Sequence, residues 1–145
     1  MKENYLITIE NTQLSADGKE QFSLSTVGDY RFSGSERIIR YTDSAATGFE
    51  GCETTLSITP GLIRLRRSGS SESELLLETG KHHMCHYGTP IGDLTVGVRT
   101  ERIDDRLQET GGTLRFSYSL DLNSGFFAAN DLKITVREKK NNHDS

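Results

Sequence analysis

Tryptophan is absent from this 145-residue chain, and proline and cysteine occur only twice each. Hydrophobic residues make up 33% of it. That is low for a densely filled α/β core. It suits a sheet protein with one wet face, or a barrel whose interior is partly polar. No stretch approaches the roughly 18 consecutive apolar residues that a membrane-crossing helix needs, so a membrane is not expected. The opening MKENYLITIE holds no apolar run of signal-peptide length. Cys52 and Cys85 therefore read as unbridged thiols in a reducing compartment, and the cytoplasm is the expected location. A net charge of −4 and a pI near 5.6 argue against nucleic acid as a partner. The glycines match neither G-x-x-x-x-G-K-[ST] nor G-x-G-x-x-G, which excludes a phosphate loop.

What the chain has is alternation. In Tyr87–Thr100, Gly88-Thr89-Pro90 and Ile91-Gly92-Asp93 read as a turn or bulge between two extended runs. Leu94, Val96 and Val98 then alternate with Thr95, Gly97 and Arg99, the period of a strand. Tyr5, Ile7 and Ile9 open a first strand, Asp17-Gly18 marks a hairpin, and Phe22, Leu24 and Thr26 share a face of the second. Gly28-Asp29 breaks or bends that strand. Arg37–Asp43 follows, with Ile39, Tyr41 and Asp43 on one face. Ser44–Gly51 reads as a loop; Thr54, Leu56 and Ile58 define the next strand, and Thr59-Pro60-Gly61 a turn. In Leu62–Ser68, Ile63, Leu65 and Arg67 face one way while Leu62, Arg64 and Arg66 face the other. Glu74–Gly80 and Lys81–Thr89 are two short strands, or one interrupted by Gly80.

The charged run ERIDDRLQETGG has room for a helical turn near Asp104–Glu109. The cleanest alternation comes next: Leu114, Phe116, Tyr118, Leu120 and Leu122 share one face. Leu132, Ile134 and Val136 mark the last strand, and the polar tail from Glu138 is expected to fray. The expected fold is all-β: a single antiparallel up-and-down barrel of about eight or more strands spanning residues 1–138, with 139–145 as a tail. Closure removes the exposed edges that a long antiparallel sheet would carry.

Taken in order, Tyr41-x-Asp43, Arg67-Ser68-Gly69, Tyr87-x-Thr89-Pro90-x-Gly92, Thr100, and the strand Gly112–Leu122 with Tyr118-Ser119-Leu120 resemble the YwiB-like family of uncharacterised bacterial proteins. The likeness runs from about Tyr30 to Val136. It implies a calycin-type, lipocalin-like barrel and no activity, and a shared fold does not by itself carry function.

If the apolar faces point inward, Tyr41, Asp43, Arg67, Tyr87 and Tyr118 point inward with them. A buried guanidinium stays charged and requires a carboxylate or several acceptors, and Asp43 is the natural partner of Arg67. Two readings stand side by side. One is a structural ion pair with tyrosine support; the other is a site where Arg67 holds a small anionic or polar ligand framed by Tyr41, Tyr87 and Tyr118. A protein–protein interaction or scaffold role is the alternative of a different class. Lys81–His86 invites a metal, since His83 and Cys85 share a face, yet no second pair is spaced to complete a site. Cys85 with His83 or His86 lacks a third group and an oxyanion motif, so no catalytic residue and no cofactor is assigned. Arg64 and Arg66 read as a solvated strand face, because no exposed aromatics interleave with them.

Overall fold

The computed structural model describes residues 5–43, 51–70, 72–89, 92–123 and 125–139. Among them run ten strands: β1 (Tyr5–Ser15), β2 (Gly18–Ser33), β3 (Glu36–Thr42), β4 (Cys52–Thr59), β5 (Leu62–Gly69), β6 (Ser73–Glu78), β7 (His82–Thr89), β8 (Gly92–Gln108), β9 (Gly111–Leu122) and β10 (Gly125–Glu138). Each pairs with its neighbours in the sequence, and β1 pairs antiparallel with β10, so the sheet closes on itself. The expected up-and-down barrel is the fold observed.

Local chemistry sets the turns. Ser15 lies opposite Gly18, whose φ of 114° completes the first hairpin after Ala16-Asp17. β2 pairs with β1 over Gly18–Gly28 and with β3 over Asp29–Ser33. Gly28 marks the changeover and bends the strand without breaking it. A methyl there would collide with the Arg40 carbonyl oxygen and the Ile7 side chain. Gly80, at φ 79°, separates β6 from β7 as two strands. Thr89 pairs with Gly92, closing the β7–β8 hairpin; Pro90 and Ile91 between them lie outside the described residues. Most of the loop expected over Ser44–Gly51 and most of the C-terminal tail also lie outside them.

One expectation is corrected. The run around Asp104–Glu109 holds no helical turn, for β8 continues as a strand to Gln108. Asp104 lies opposite Arg115 in the register and 3.3 Å from Arg106 on its own strand, and Leu107 is buried opposite Gly112. A bulge between Thr100 and Arg102 shifts the register, so the inward positions change from Leu94, Val96, Val98 and Thr100 to Ile103, Asp105 and Leu107. The barrel holds this segment at its lower end. The Tyr30 hydroxyl donates to the Gln108 carbonyl at 2.7 Å, and Arg37 lies 3.4 Å from Asp105.

The wall is weakest between β6 and β7, which pair only at Ser73–Tyr87 and Glu74–His86. Below that, side chains replace the ladder. The Leu76 N–H donates to Cys85 Sγ at 3.4 Å, and His83 Nε2 lies 3.0 Å from Glu78 Oε1. Inside, the lower half is filled by side chains with no exposure, among them Ile7, Ile39, Ile58, Ile63, Leu77 and Val98. The upper half is not filled. It lies toward the strand ends at Thr42, Cys52, Gly69, Ser73, Leu122 and Gly125.

Candidate functional site

Strand parity places Tyr41 on β3, Arg67 on β5, Tyr87 on β7 and Tyr118 on β9, all pointing inward; Asp43 follows β3 on the same face as Tyr41. All five line one interior cavity of about 290 Å³. Its walls are otherwise largely apolar, with Leu65, Leu75, Phe116 and Leu132 among them.

Asp43 and Arg67 form the ion pair expected of them, with Arg67 Nε 3.6 Å from Asp43 Oδ2. The Asp43 side chain is fully buried and that of Arg67 is 11% exposed. Between them stands Thr54, itself without exposure. Its hydroxyl donates to Asp43 and accepts from Arg67 Nε at 3.2 Å. Burial of a charge is tolerated here because opposite charge and hydrogen bonds meet it in the same place.

The three phenols are held neutral. Burial pushes the Tyr41 hydroxyl up to about 12, with the nearby Asp43 carboxylate adding to the rise and Arg67 opposing it. Burial also raises Tyr87, against the pull of Arg67. Tyr118 is raised further, by burial first and then by Tyr87. Phe116 and Tyr118 stack at 6.1 Å between ring centres, which fixes the Tyr118 ring against the cavity wall.

The sequence reading missed several polar residues of this interior, Thr54, Asn11 and Asn130 among them. Thr54 has the parity of Leu56 and Ile58, Asn11 that of Ile7 and Ile9, and Asn130 that of Leu132 and Ile134. Their inward aim was therefore available from the alternation. Asn11 Nδ2 donates to Asn130 Oδ1 at 3.3 Å, and both residues line the cavity.

The other constellations resolve into surface pairs. His82 lies 2.8 Å from Asp121, His83 3.0 Å from Glu78 and His86 3.9 Å from Asp93. His83 and Cys85 do share the inward face of β7, but burial raises the Cys85 thiol, which disfavours the thiolate a nucleophile or metal ligand requires. Cys52 contacts Ser70 Oγ at 3.3 Å, and Cys52 and Cys85 are not joined by a disulfide. Arg64 pairs with Glu74 and Arg40 with Glu53.

Fold and interior together define an up-and-down β-barrel with a polar cluster set in an apolar cavity. The model of the family described as "Domain of unknown function (DUF1934)" matches residues 7–134, and the chain belongs to that family. Its structure is similar to the crystal structure of the ywiB protein from Bacillus subtilis, with a TM-score of 0.80 at 17% identity, over 97% of this chain and 96% of that one. The resemblance read from the sequence is thereby borne out. A comparison with curated proteins found no match.

Proposed function

We propose that this protein binds one small molecule inside the barrel and carries out no reaction of its own. The observation that carries the reading is the convergence of Tyr41, Asp43, Arg67, Tyr87 and Tyr118 on one cavity of about 290 Å³ with otherwise largely apolar walls. Ligand sites are typically concave and mostly apolar, with a few polar groups that fix orientation. A barrel stabilised only by its core would gain more from filling such a space, because a void loses packing energy. In this reading the barrel is a cup of the calycin kind, working in the cytoplasm on a small polar or anionic ligand. Native mass spectrometry of freshly purified protein tests it. The expected result is a small-molecule adduct that is lost in Tyr118→Phe. A uniformly unliganded mass, together with no thermal shift across a library of small polar compounds, would refute it.

A second reading, docking of a protein partner, draws on one observation. Leu14 is 51% exposed, Phe126 61% and Phe127 40%, and they lie at one barrel end on the paired strands β1 and β10. A second subunit or captured partner in the same spectra, lost on Phe126→Ser, would favour it.

A further inference from the structure

β2 is hydrogen-bonded to one neighbour at a time. Its upper half, Gly18–Gly28, pairs with β1, and its lower half, Asp29–Ser33, pairs with β3. Among the described residues, the side of Lys19–Val27 that faces away from β1 has no strand along it. The side chains here also lean on β1: Gln21 Nε2 lies 3.5 Å from Thr12 Oγ1, and Ser25 Oγ 3.2 Å from Thr8 Oγ1. This edge borders the unfilled half of the barrel, since Phe22, Ser23 and Leu24 line the cavity.

An open edge presents a row of backbone N–H and C=O groups that a further strand can complete. The usual guards against such pairing are thin here. Gln21–Val27 contains no proline and no charge; Lys19 and Glu20 sit at its far end. Phe22 and Leu24 are half-buried, so an added strand would cover apolar surface as well as backbone.

The edge is complementary to itself. Two copies laid antiparallel about a two-fold axis at Ser23 set Phe22 opposite the partner's Leu24, and the symmetry repeats that pair. Gln21 then meets the partner's Ser25, Glu20 the partner's Thr26, and Lys19 the partner's Val27. No like charges face each other, and an aromatic–aliphatic pair forms on the cavity side. Moving the axis one residue either way loses this match. At Phe22 it sets Leu24 against the partner's Glu20, and at Leu24 it sets Phe22 against the partner's Thr26.

We propose that this protein forms a reversible symmetric dimer in which the upper edges of β2 pair antiparallel about Ser23. Leu24 lines the cavity, so the partner's Phe22 beside it continues the cavity wall. The inference goes beyond the small-molecule reading and does not depend on it.

Sedimentation velocity of the full chain between about 1 and 100 µM should show a concentration-dependent shift from 16.2 kDa to twice that mass. Phe22→Lys and Leu24→Glu should each weaken association by about tenfold or more. Mixed together they should recover it, because one pair becomes Lys against Glu and the other stays Leu against Phe. Ser23→Cys, exposed and on the axis, should cross-link two chains under mild oxidation, whereas Gln21→Cys, set opposite Ser25, should not. A monomer at every concentration would overturn the proposal, even one that carries a ligand adduct and so keeps the cavity reading. A dimer that survives Phe22→Lys but is lost in Phe126→Ser would also overturn it and move the contact to β10. If the Phe22 and Leu24 variants do not fold, the two cysteine variants decide the register, and equal cross-linking by both would overturn it.

Discussion

The hydroxyl of Thr54 donates to the Asp43 carboxylate inside the barrel wall, from a position on the neighbouring strand with no solvent exposure. That contact makes Asp43 and Arg67 a three-membered arrangement, since Thr54 also accepts from Arg67 Nε. Removing one ion takes a buried counter-charge away from the other. Arg67→Ala and Asp43→Ala should each cost about 3–5 kcal/mol in urea unfolding, whereas exposed Arg66→Ala should cost no more than about 1 kcal/mol. The double variant should recover part of the loss. Thr54→Val, close in shape but without the hydroxyl, should cost about 1–3 kcal/mol. Equal and small effects at Arg66 and Arg67 would contradict the inward placement of Arg67.

Burial holds the tyrosines of the barrel protonated well above pH 7, and this sets an alkaline limit on stability. Tyr41 and Tyr30 are both raised to about 12. In the unfolded chain they ionise near 10. A folded value above the unfolded one means a contribution present in full below about pH 10, and lost as the pH rises through 12. Stability should therefore fall from about pH 10 upward, by up to roughly 1.4 kcal/mol per pH unit for each such tyrosine. Tyrosinate absorbance should rise cooperatively with unfolding. The slope should be shallower in Tyr41→Phe. Smooth, non-cooperative ionisation near pH 10 would count against the buried placement.

The two-residue period carried most of this fold because each strand has one wet face. Ile39, Tyr41 and Asp43 alternate with solvent-facing neighbours, and inward parity alone sufficed to bring Asp43 toward Arg67. The lower half of β8 was not legible for a physical reason. The Thr100–Arg102 bulge shifts the pattern by one residue, so a window spanning it shows no period at all. Charges such as Asp104 and Arg106 then resemble an exposed helical face, until β9 supplies Arg115 opposite Asp104. Thr54 and Asn130 were missed at the site because a small polar residue at an inward position looks the same in sequence whether it meets a partner or water. Only closure of the barrel settles which.

Two glycines should respond very differently to the same substitution. At Gly28 an added methyl meets backbone, the Arg40 carbonyl oxygen, together with the buried Ile7 side chain. Neither yields easily, so Gly28→Ala should destabilise by about 1–3 kcal/mol. At Gly97 the methyl meets only the ends of the His82 and Asp121 side chains, which pair across the outer face of β8. Those ends can swing away, and an exposed pair contributes about 0–1 kcal/mol, so Gly97→Ala should cost no more than that. Thermal unfolding of both variants checks the contrast, and a Gly97 variant as unstable as the Gly28 one would refute it.

The seam between β6 and β7 leads to the last prediction. Where their ladder is interrupted, the Leu76 N–H donates to Cys85 Sγ. A thiol is a weak acceptor, yet it is the partner this backbone group has in a half-buried position. Burial also keeps the Cys85 thiol protonated. Both Cys52 and Cys85 should therefore react slowly with a thiol reagent in native protein at pH 8, and fully after denaturation. Cys85→Ala should leave the Leu76 N–H without its acceptor and speed its hydrogen exchange, while the core amides of β9 keep theirs. Cys85→Ser, which keeps an acceptor of similar size, should restore much of the protection. Equal exchange at Leu76 in wild type and Cys85→Ala would show that the seam below the Glu74–His86 pair is held by something other than this bond, such as the His83–Glu78 contact.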